Sequence, residues 1–171
     1  MKKLRDSKLN NAGISLVEVI IVLAIMGIIG GAVLLSTSVA TNKQVNSCAE
    51  KLASSLEQTR NLVMGKQKGY LRIWQDPGDY VYIQMYIDGD KFSDEVAIGK
   101  PGITVNYTLA DGSTGVLTAG TPIDVGFLRN GSISKASGFS QVKQFEITNG
   151  NRVVVVNIDQ FTGRIETVKT A

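Results

Sequence analysis

A long apolar run near the N-terminus constrains this chain more than any other feature of its sequence. No charged residue occurs between Val19 and Asn42, and most positions in that stretch are apolar. A helix that crosses a bilayer needs about 20 apolar residues, and Leu16–Val39 supplies that length with Glu18 as its only charge. Basic residues precede the run, so the positive-inside rule predicts a cytoplasmic N-terminus and an extracytoplasmic remainder.

The net charge of +3 lies entirely in the first 13 residues, which hold four basic side chains and one acidic side chain. Residues 14–171 therefore carry no net charge. A general affinity for nucleic acid needs a basic surface, and the neutral balance of this larger part of the chain argues against one.

No group of residues in the sequence is typical of an active site. The chain has no histidine, which removes the commonest general base and the usual zinc ligands. It also lacks a P-loop, a dinucleotide-binding glycine pattern and a Gly-x-Ser-x-Gly motif. The single cysteine, Cys48, cannot form an intrachain disulfide and is expected to be a small buried residue on a helix. We therefore expect a protein that is not an enzyme and needs no cofactor.

Two ordinary interpretations of the N-terminus remain open at this point. A signal peptide would have a basic start, an apolar core and a small-residue cleavage site at Ser38-Val39-Ala40, which would release a chain beginning at Thr41. The apolar run is longer than the usual core of about 7–15 residues. An uncut signal anchor would explain the apolar run, but it gives no role to Gly13 or Glu18.

The stretch Gly13-Ile14-Ser15-Leu16-Val17-Glu18, followed by the apolar run, resembles the class III signal of type IV pilins and type II secretion pseudopilins. The resemblance implies cleavage by a prepilin peptidase directly after Gly13 and N-methylation of the new N-terminal residue, Ile14. The apolar segment then stays in the mature protein. The family more often has Phe at the position of Ile14, and its later proline is replaced here by Leu35.

The same resemblance gives Glu18 a role in assembly. A carboxylate in hydrocarbon costs about 2.5–3.5 kcal/mol on insertion scales, so it needs a partner. Cleavage after Gly13 would leave a positive amine on Ile14, and Glu18 could meet that amine in its own chain or in a neighbouring subunit. Such a pair would set the register of each incoming subunit. The alternative is that Glu18 only complements the dipole of its own helix.

The helix is expected to continue beyond the apolar run. Beyond the run, apolar residues recur at spacings near three and four and form one stripe, while charged and polar residues fill the other faces of the helix. This pattern predicts an amphipathic helix that packs its apolar stripe on a domain. Together the two halves predict one helix over 14–66, with 14–39 in the membrane or filament core, and a length of roughly 75 Å. Gly65 and Gly69 bracket its expected end. The apolar stripe consists of Val45, Cys48, Ala49, Leu52, Leu56, Leu62 and Val63.

The remainder, 67–171, is predicted to be a β-rich globular domain. Short runs of strand-forming residues alternate with Asp-Gly, Asn-Gly and Thr-Gly turns, which favours antiparallel pairing. With the helix covering one sheet face, the predicted fold class is α+β: a long N-terminal helix on an antiparallel β-sheet domain, the pilin fold. The expected strands are Tyr70–Gln75, Tyr80–Ile87, Ile103–Leu109, Ile123–Leu128, Phe145–Thr148, Arg152–Ile158 and Arg164–Val168.

A narrower resemblance covers most of this second part. Leu52, Leu56 and Arg60 stand before the first strand, and a second stretch runs from Asp124 to Asn130-Gly131. A third stretch, Arg152–Ile158, ends in Thr162-Gly163-Arg164-Ile165. Their spacing is similar to that of the GspH/FimT family of minor pseudopilins, although the residues match more loosely than those of the N-terminal motif.

Two small charged groups are candidate binding sites. Lys66, Lys68 and Arg72 could contact the phosphates of DNA, as some minor pilins of the family do, or form a solvated rim. A second group could bind Ca²⁺ through oxygen ligands, as some pseudopilins do, or simply form a hairpin tip. This acidic group contains Asp88, Asp90, Asp94 and Glu95.

The expected function is that of a minor pilin or pseudopilin that assembles through its N-terminal helix, for secretion, adhesion or DNA uptake. The resemblance implies a prepilin peptidase, other pilins, an inner-membrane assembly platform and, before assembly, membrane lipid as partners. It also implies a single-pass membrane protein that later joins an extracytoplasmic pilus or pseudopilus. A secreted or anchored β-rich binding module is the alternative, and a DNA-binding minor pilin of a competence system is a second.

Overall fold

The computed structural model describes residues 16–65 and 68–170, and it describes their side chains except for 29–40 and 170. The chain divides into two compact units, Met1–Ser38 and Val39–Ala171. A 50-residue helix, α1, spans Leu16–Gly65, and the boundary between the units falls inside it. The predicted leader 1–13 and Ile14 lie outside the described residues.

Ten strands follow the helix in the described part of the chain. They form two five-stranded sheets, in which every strand pair is antiparallel. Sheet A has the order β3-β2-β1-β7, with β4 also paired to β2, and sheet B has the order β10-β9-β8-β5-β6. The predicted α+β class with antiparallel pairing is therefore confirmed. The strands are β1 Gly69–Gln75, β2 Val81–Ile87, β3 Asp90–Lys91, β4 Val96–Gly99, β5 Thr104–Leu109, β6 Thr114–Val116, β7 Ile123–Phe127, β8 Val142–Thr148, β9 Val153–Ile158 and β10 Ile165–Thr170.

Three strands, β3, β4 and β6, do not follow from the sequence pattern. They contain two to four residues, and their side chains are mostly exposed, so they show no clear apolar alternation. Each pairs with a longer strand that the pattern does predict, because β3 and β4 lie on β2 and β6 lies on β5. Backbone pairing holds β3 and β6, which have no buried side chain, whereas β4 also places Ile98 in the apolar core.

The second half of α1 packs its apolar stripe into the core of the β domain. Leu52, Leu56 and Val63 are almost completely buried, whereas Leu62 is only half-buried. On the strands, buried residues alternate with more exposed ones, as in β1 and β9. Inward-facing residues of both sheets and the helix stripe form one apolar cluster. Burial of this surface is the main favourable term for the fold.

Arg60 joins α1 to two turns that are distant in sequence. Its Nε donates hydrogen bonds to the carbonyl oxygens of Gly131 at 3.3 Å and Thr162 at 3.1 Å. Gly163 follows with φ 64°, and a Cβ there would overlap the carbonyl oxygen of Gly131. The Asp159 carboxylate accepts the Thr162 amide at 2.7 Å, and this bond is the main reason that the pKa of Asp159 is lowered.

The first prediction concerns this junction. Gly163→Ala should lower the free energy of unfolding by more than the 1–3 kcal/mol, roughly, of a strained backbone alone, because the methyl group also meets the Gly131 carbonyl. Gly112→Ala is the matched control, since Gly112 has φ 89° but nothing within 4 Å of an added Cβ. Chemical denaturation of both variants measures the difference. An equal loss of unfolding free energy in the two variants would show that the contact between the two turns does not contribute to stability.

The second prediction concerns Cys48, which is fully buried. Burial raises the pKa of its thiol to about 12, so thiolate is scarce at neutral pH. We expect iodoacetamide to leave Cys48 unmodified in the native protein and to modify it in denaturant, as measured by peptide mass spectrometry. Ser47→Cys places a thiol at an exposed neighbouring position, and that thiol should react in the native state. Equal native rates at both positions would contradict the buried placement.

Candidate functional site

The beginning of α1 presents apolar side chains on every face. The ten large apolar residues between Leu16 and Ile28 are each between 44% and 75% exposed, a range set by Val19 and Leu16. A helix that is apolar all round is stable only when it is covered, by lipid or by other protein. The exposed apolar surface of this segment therefore requires a covering partner.

Glu18 lies in the first turn of α1 and is exposed. A negative side chain at this end is favoured by the partial positive charge of the helix N-terminus. The predicted cleavage and methylation residues, Gly13 and Ile14, lie outside the described residues, and so does the predicted amine partner of Glu18.

Within the described residues, no helix combines the length and the apolar character that a membrane span requires. The predicted span 14–39 includes Ile14, Ser15 and the side chains of 29–39, which lie outside the described residues.

One member of the predicted basic group, Arg72, is paired with an acidic side chain. Lys68 is exposed, and Lys66 lies outside the described residues. Arg72 forms a two-bond ion pair with Asp124, with Nε–Oδ1 at 2.8 Å and Nη2–Oδ2 at 2.7 Å. The hydrogen bond to Asp124 is the main reason that the pKa of Arg72 is raised further. The charge of Arg72 is therefore compensated on the protein itself.

The predicted acidic group is not gathered into a metal site. Among the described residues, no three His, Cys, Asp or Glu side chains lie close enough together to hold a metal ion. Asp88 Oδ1 instead accepts the backbone N–H of Lys68 at 3.1 Å, and Asp88 has φ 52° in the turn between β2 and β3. Asp88 thus takes part in a turn, as the hairpin-tip interpretation expects, and calcium binding by Asp88, Asp90, Asp94 and Glu95 stays a prediction.

The sequence pattern also missed a group of side chains on the outward face of sheet A. We call this group the aromatic face; it consists of the alternate residues of β1 and β2 that point away from the core. The signal was present, because the two strands place these residues two positions apart, but only the β1–β2 register shows that they are neighbours. The aromatic face contains Tyr70, Arg72, Trp74, Tyr82, Gln84 and Tyr86.

Comparison with known proteins bears on the N-terminal segment. Residues 8–34 match the family model of the prokaryotic N-terminal methylation motif. No curated protein and no solved structure matches the chain. The matched segment contains Gly13, Ile14, Glu18 and the exposed apolar residues that begin α1. The chain thus carries a prepilin-type N-terminal signal, and this supports its place in the type IV pilin and pseudopilin superfamily.

Proposed function

We propose that this chain is a minor pilin or pseudopilin of the GspH/FimT type, which is cleaved after Gly13, methylated at Ile14 and assembled into a filament through its N-terminal helix. The observation that carries the proposal is the exposed apolar start of α1, directly after a prepilin-type signal and with Glu18 in its first turn. A type II secretion pseudopilus or a type IV pilus is the assembly.

Two partners cover the apolar start of α1 in succession. Membrane lipid covers it first, because an exposed apolar surface on every side of a helix is unfavourable in water. After cleavage by the prepilin peptidase, the inner-membrane assembly platform passes the subunit into a filament, where sister helices replace lipid. The small residues Gly27, Gly30 and Gly31 allow close approach between such helices.

The spacing of Arg60, Asn130-Gly131 and Thr162-Gly163 supports the GspH/FimT subtype. These stretches are far apart in sequence, yet Arg60 donates hydrogen bonds to the carbonyl oxygens of Gly131 and Thr162. Three of the stretches that carry the narrower resemblance therefore meet at one junction, through Arg60, Gly131 and Thr162. Motif residues that contact one another support the GspH/FimT resemblance better than the same residues would if they lay far apart on the surface.

The third prediction tests processing. Mass spectrometry of the mature chain should find an N-terminus at methylated Ile14, whereas an ordinary signal peptide predicts Thr41 and an uncut anchor predicts Met1. Gly13→Leu should leave the unmethylated precursor, because a side chain at this position crowds the scissile bond. Gly27→Leu, the same change farther along the apolar helix, should be cleaved normally. Trimming of Gly13→Leu to Ile14 would contradict prepilin processing.

The fourth prediction tests the role of Glu18. Glu18→Ala removes an ion that is costly in the membrane, so insertion and cleavage should persist. Incorporation into sheared filaments should fall by at least about tenfold, because the Ile14 amine of the neighbour or of the subunit itself loses its partner. Glu18→Gln, which keeps hydrogen bonding without charge, should fall between wild type and Glu18→Ala.

Glu57→Ala provides the control for this experiment, because Glu57 is an exposed acid on the second half of the same helix. It should be incorporated like wild type. Normal incorporation of cleaved Glu18→Ala would remove the assembly role of the carboxylate.

A further inference from the structure

The aromatic face carries a cleft that the assembly function does not use. Strand register places its side chains in three rows across sheet A. One row pairs Tyr70 with Tyr86, the next pairs Arg72 with Gln84, and the third pairs Trp74 with Tyr82. A cavity of about 320 Å³ opens beside these rows, a volume within the range of small-ligand sites. Its lining includes Arg72, Trp74, Gln84, Tyr86, Lys91 and Glu95.

The outer two rows are aromatic. Tyr70 and Tyr86 stack with ring centroids 4.8 Å apart, and Trp74 and Tyr82 stack at 5.6 Å. Phe139 extends the first row, because its ring lies against Gly126, where an added Cβ would come within 2.9 Å of a ring atom. These rings are only partly buried, so they provide rigid apolar surface beside water.

The middle row is polar and electrically balanced. Asp124 lies opposite Arg72 on β7 and compensates its charge through two hydrogen bonds. Gln84 donates its amide N–H to the carbonyl oxygen of Ser93 and accepts the Tyr86 hydroxyl at 2.9 Å, which holds the amide in place. Lys91 and Glu95, which carry opposite charges, also line the cleft. The cleft thus combines fixed donors and acceptors with no net charge.

This combination selects among ligand classes. A phosphate chain needs uncompensated cations, and it would have to compete with Asp124 for Arg72. A proline-rich segment suits aromatic grooves, but prolines lack an N–H and so have no backbone donor for the lone pairs that Asp124 and Gln84 keep beyond their bonds to Arg72 and Tyr86. Sugar hydroxyls both donate and accept, and the apolar C–H faces of sugar rings suit aromatic walls.

We propose that the cleft of the aromatic face binds a neutral saccharide, with the Arg72–Asp124 pair and Gln84 meeting its hydroxyl groups and Trp74 and Tyr86 meeting its ring faces. Arg72 has five N–H donors, of which the pair with Asp124 uses two, so donors remain for a ligand. The binding site lies on the β domain and does not depend on how the N-terminus is processed.

The chain contains its own probe for this site, because Trp74 is its single tryptophan. The experiment uses the full chain in a detergent without a sugar headgroup and follows Trp74 fluorescence. The probes are short neutral oligomers of glucose, mannose, galactose and N-acetylglucosamine, together with single-stranded oligothymidine and a proline-rich peptide. We expect a saturable change with at least one sugar oligomer.

The affinity should change by less than about twofold between about 0.05 and 0.5 M salt, since no counterions are released from an uncharged ligand. No saturable change with any of the sugar oligomers would overturn the proposal. Binding of only the oligonucleotide or only the peptide would also overturn it, in favour of a nucleic acid or a peptide ligand.

Variants locate the binding to the cleft. Tyr86→Ala should weaken sugar binding about five- to tenfold, because it removes one aromatic wall, whereas Tyr86→Phe keeps the ring and should stay within about threefold. Tyr80→Ala is the matched control, since Tyr80 is 40% exposed and lines a different cavity beside α1. An equal loss in Tyr80→Ala would place the binding elsewhere. The wild-type titration decides the proposal even if Tyr86→Ala does not fold.

Discussion

The fold of the β domain depends on the apolar stripe of the second half of α1. Residues such as Leu52 and Leu56 are almost completely buried in the cluster that also contains the inward faces of both sheets. Polar contacts also join the helix to sheet B and to the residue before β9: Lys169 of β10 pairs with Glu50 at 3.0 Å, and Arg152 Nε donates to Asn46 Oδ1 at 2.9 Å. The stripe gives these inner faces an apolar surface to pack against, since a sheet with one apolar face must bury that face against another element.

The two halves of α1 share one secondary structure but differ in how their apolar side chains are distributed around the helix. The second half has one apolar stripe and is otherwise polar, and the β domain buries that stripe. The first half is apolar on all sides from Leu16 to Ile28, and its large apolar side chains remain exposed. A helix satisfies its own backbone hydrogen bonds, so the same continuous element suits both water and hydrocarbon. This explains how one continuous helix can combine a one-sided apolar stripe with a segment that is apolar on all sides.

The outward face of sheet A differs from the outward faces of ordinary antiparallel sheets, which are polar and solvated. Here aromatic side chains stand next to an ion pair whose charge is balanced. The Cζ atom of Arg72 lies 5.2 Å from the centroid of the Tyr86 ring and 5.7 Å from the centroid of the Tyr70 ring. The guanidinium is therefore held by these rings as well as by Asp124. Such preorganisation lowers the entropic cost of binding, and it concentrates specificity in a few side chains.

The sequence by itself determined the features that depend on neighbours along the chain. Periodicity predicted the helix stripe, turn dipeptides predicted most hairpins, and the prepilin-type signal was readable because cleavage and methylation act on consecutive residues. Only the tertiary structure decided which strands share a sheet, that Arg72 meets Asp124 52 residues away, and that Arg60 meets Thr162 102 residues away. The tertiary structure also shows that the predicted acidic residues form no group of three possible metal ligands with other described residues. It pairs Arg72 of the predicted basic group with Asp124. The physical reason is that the pattern of neighbouring residues reflects backbone geometry and the difference between buried and solvent-exposed positions. Partners across sheets are instead set by strand register and by the packing of the whole core.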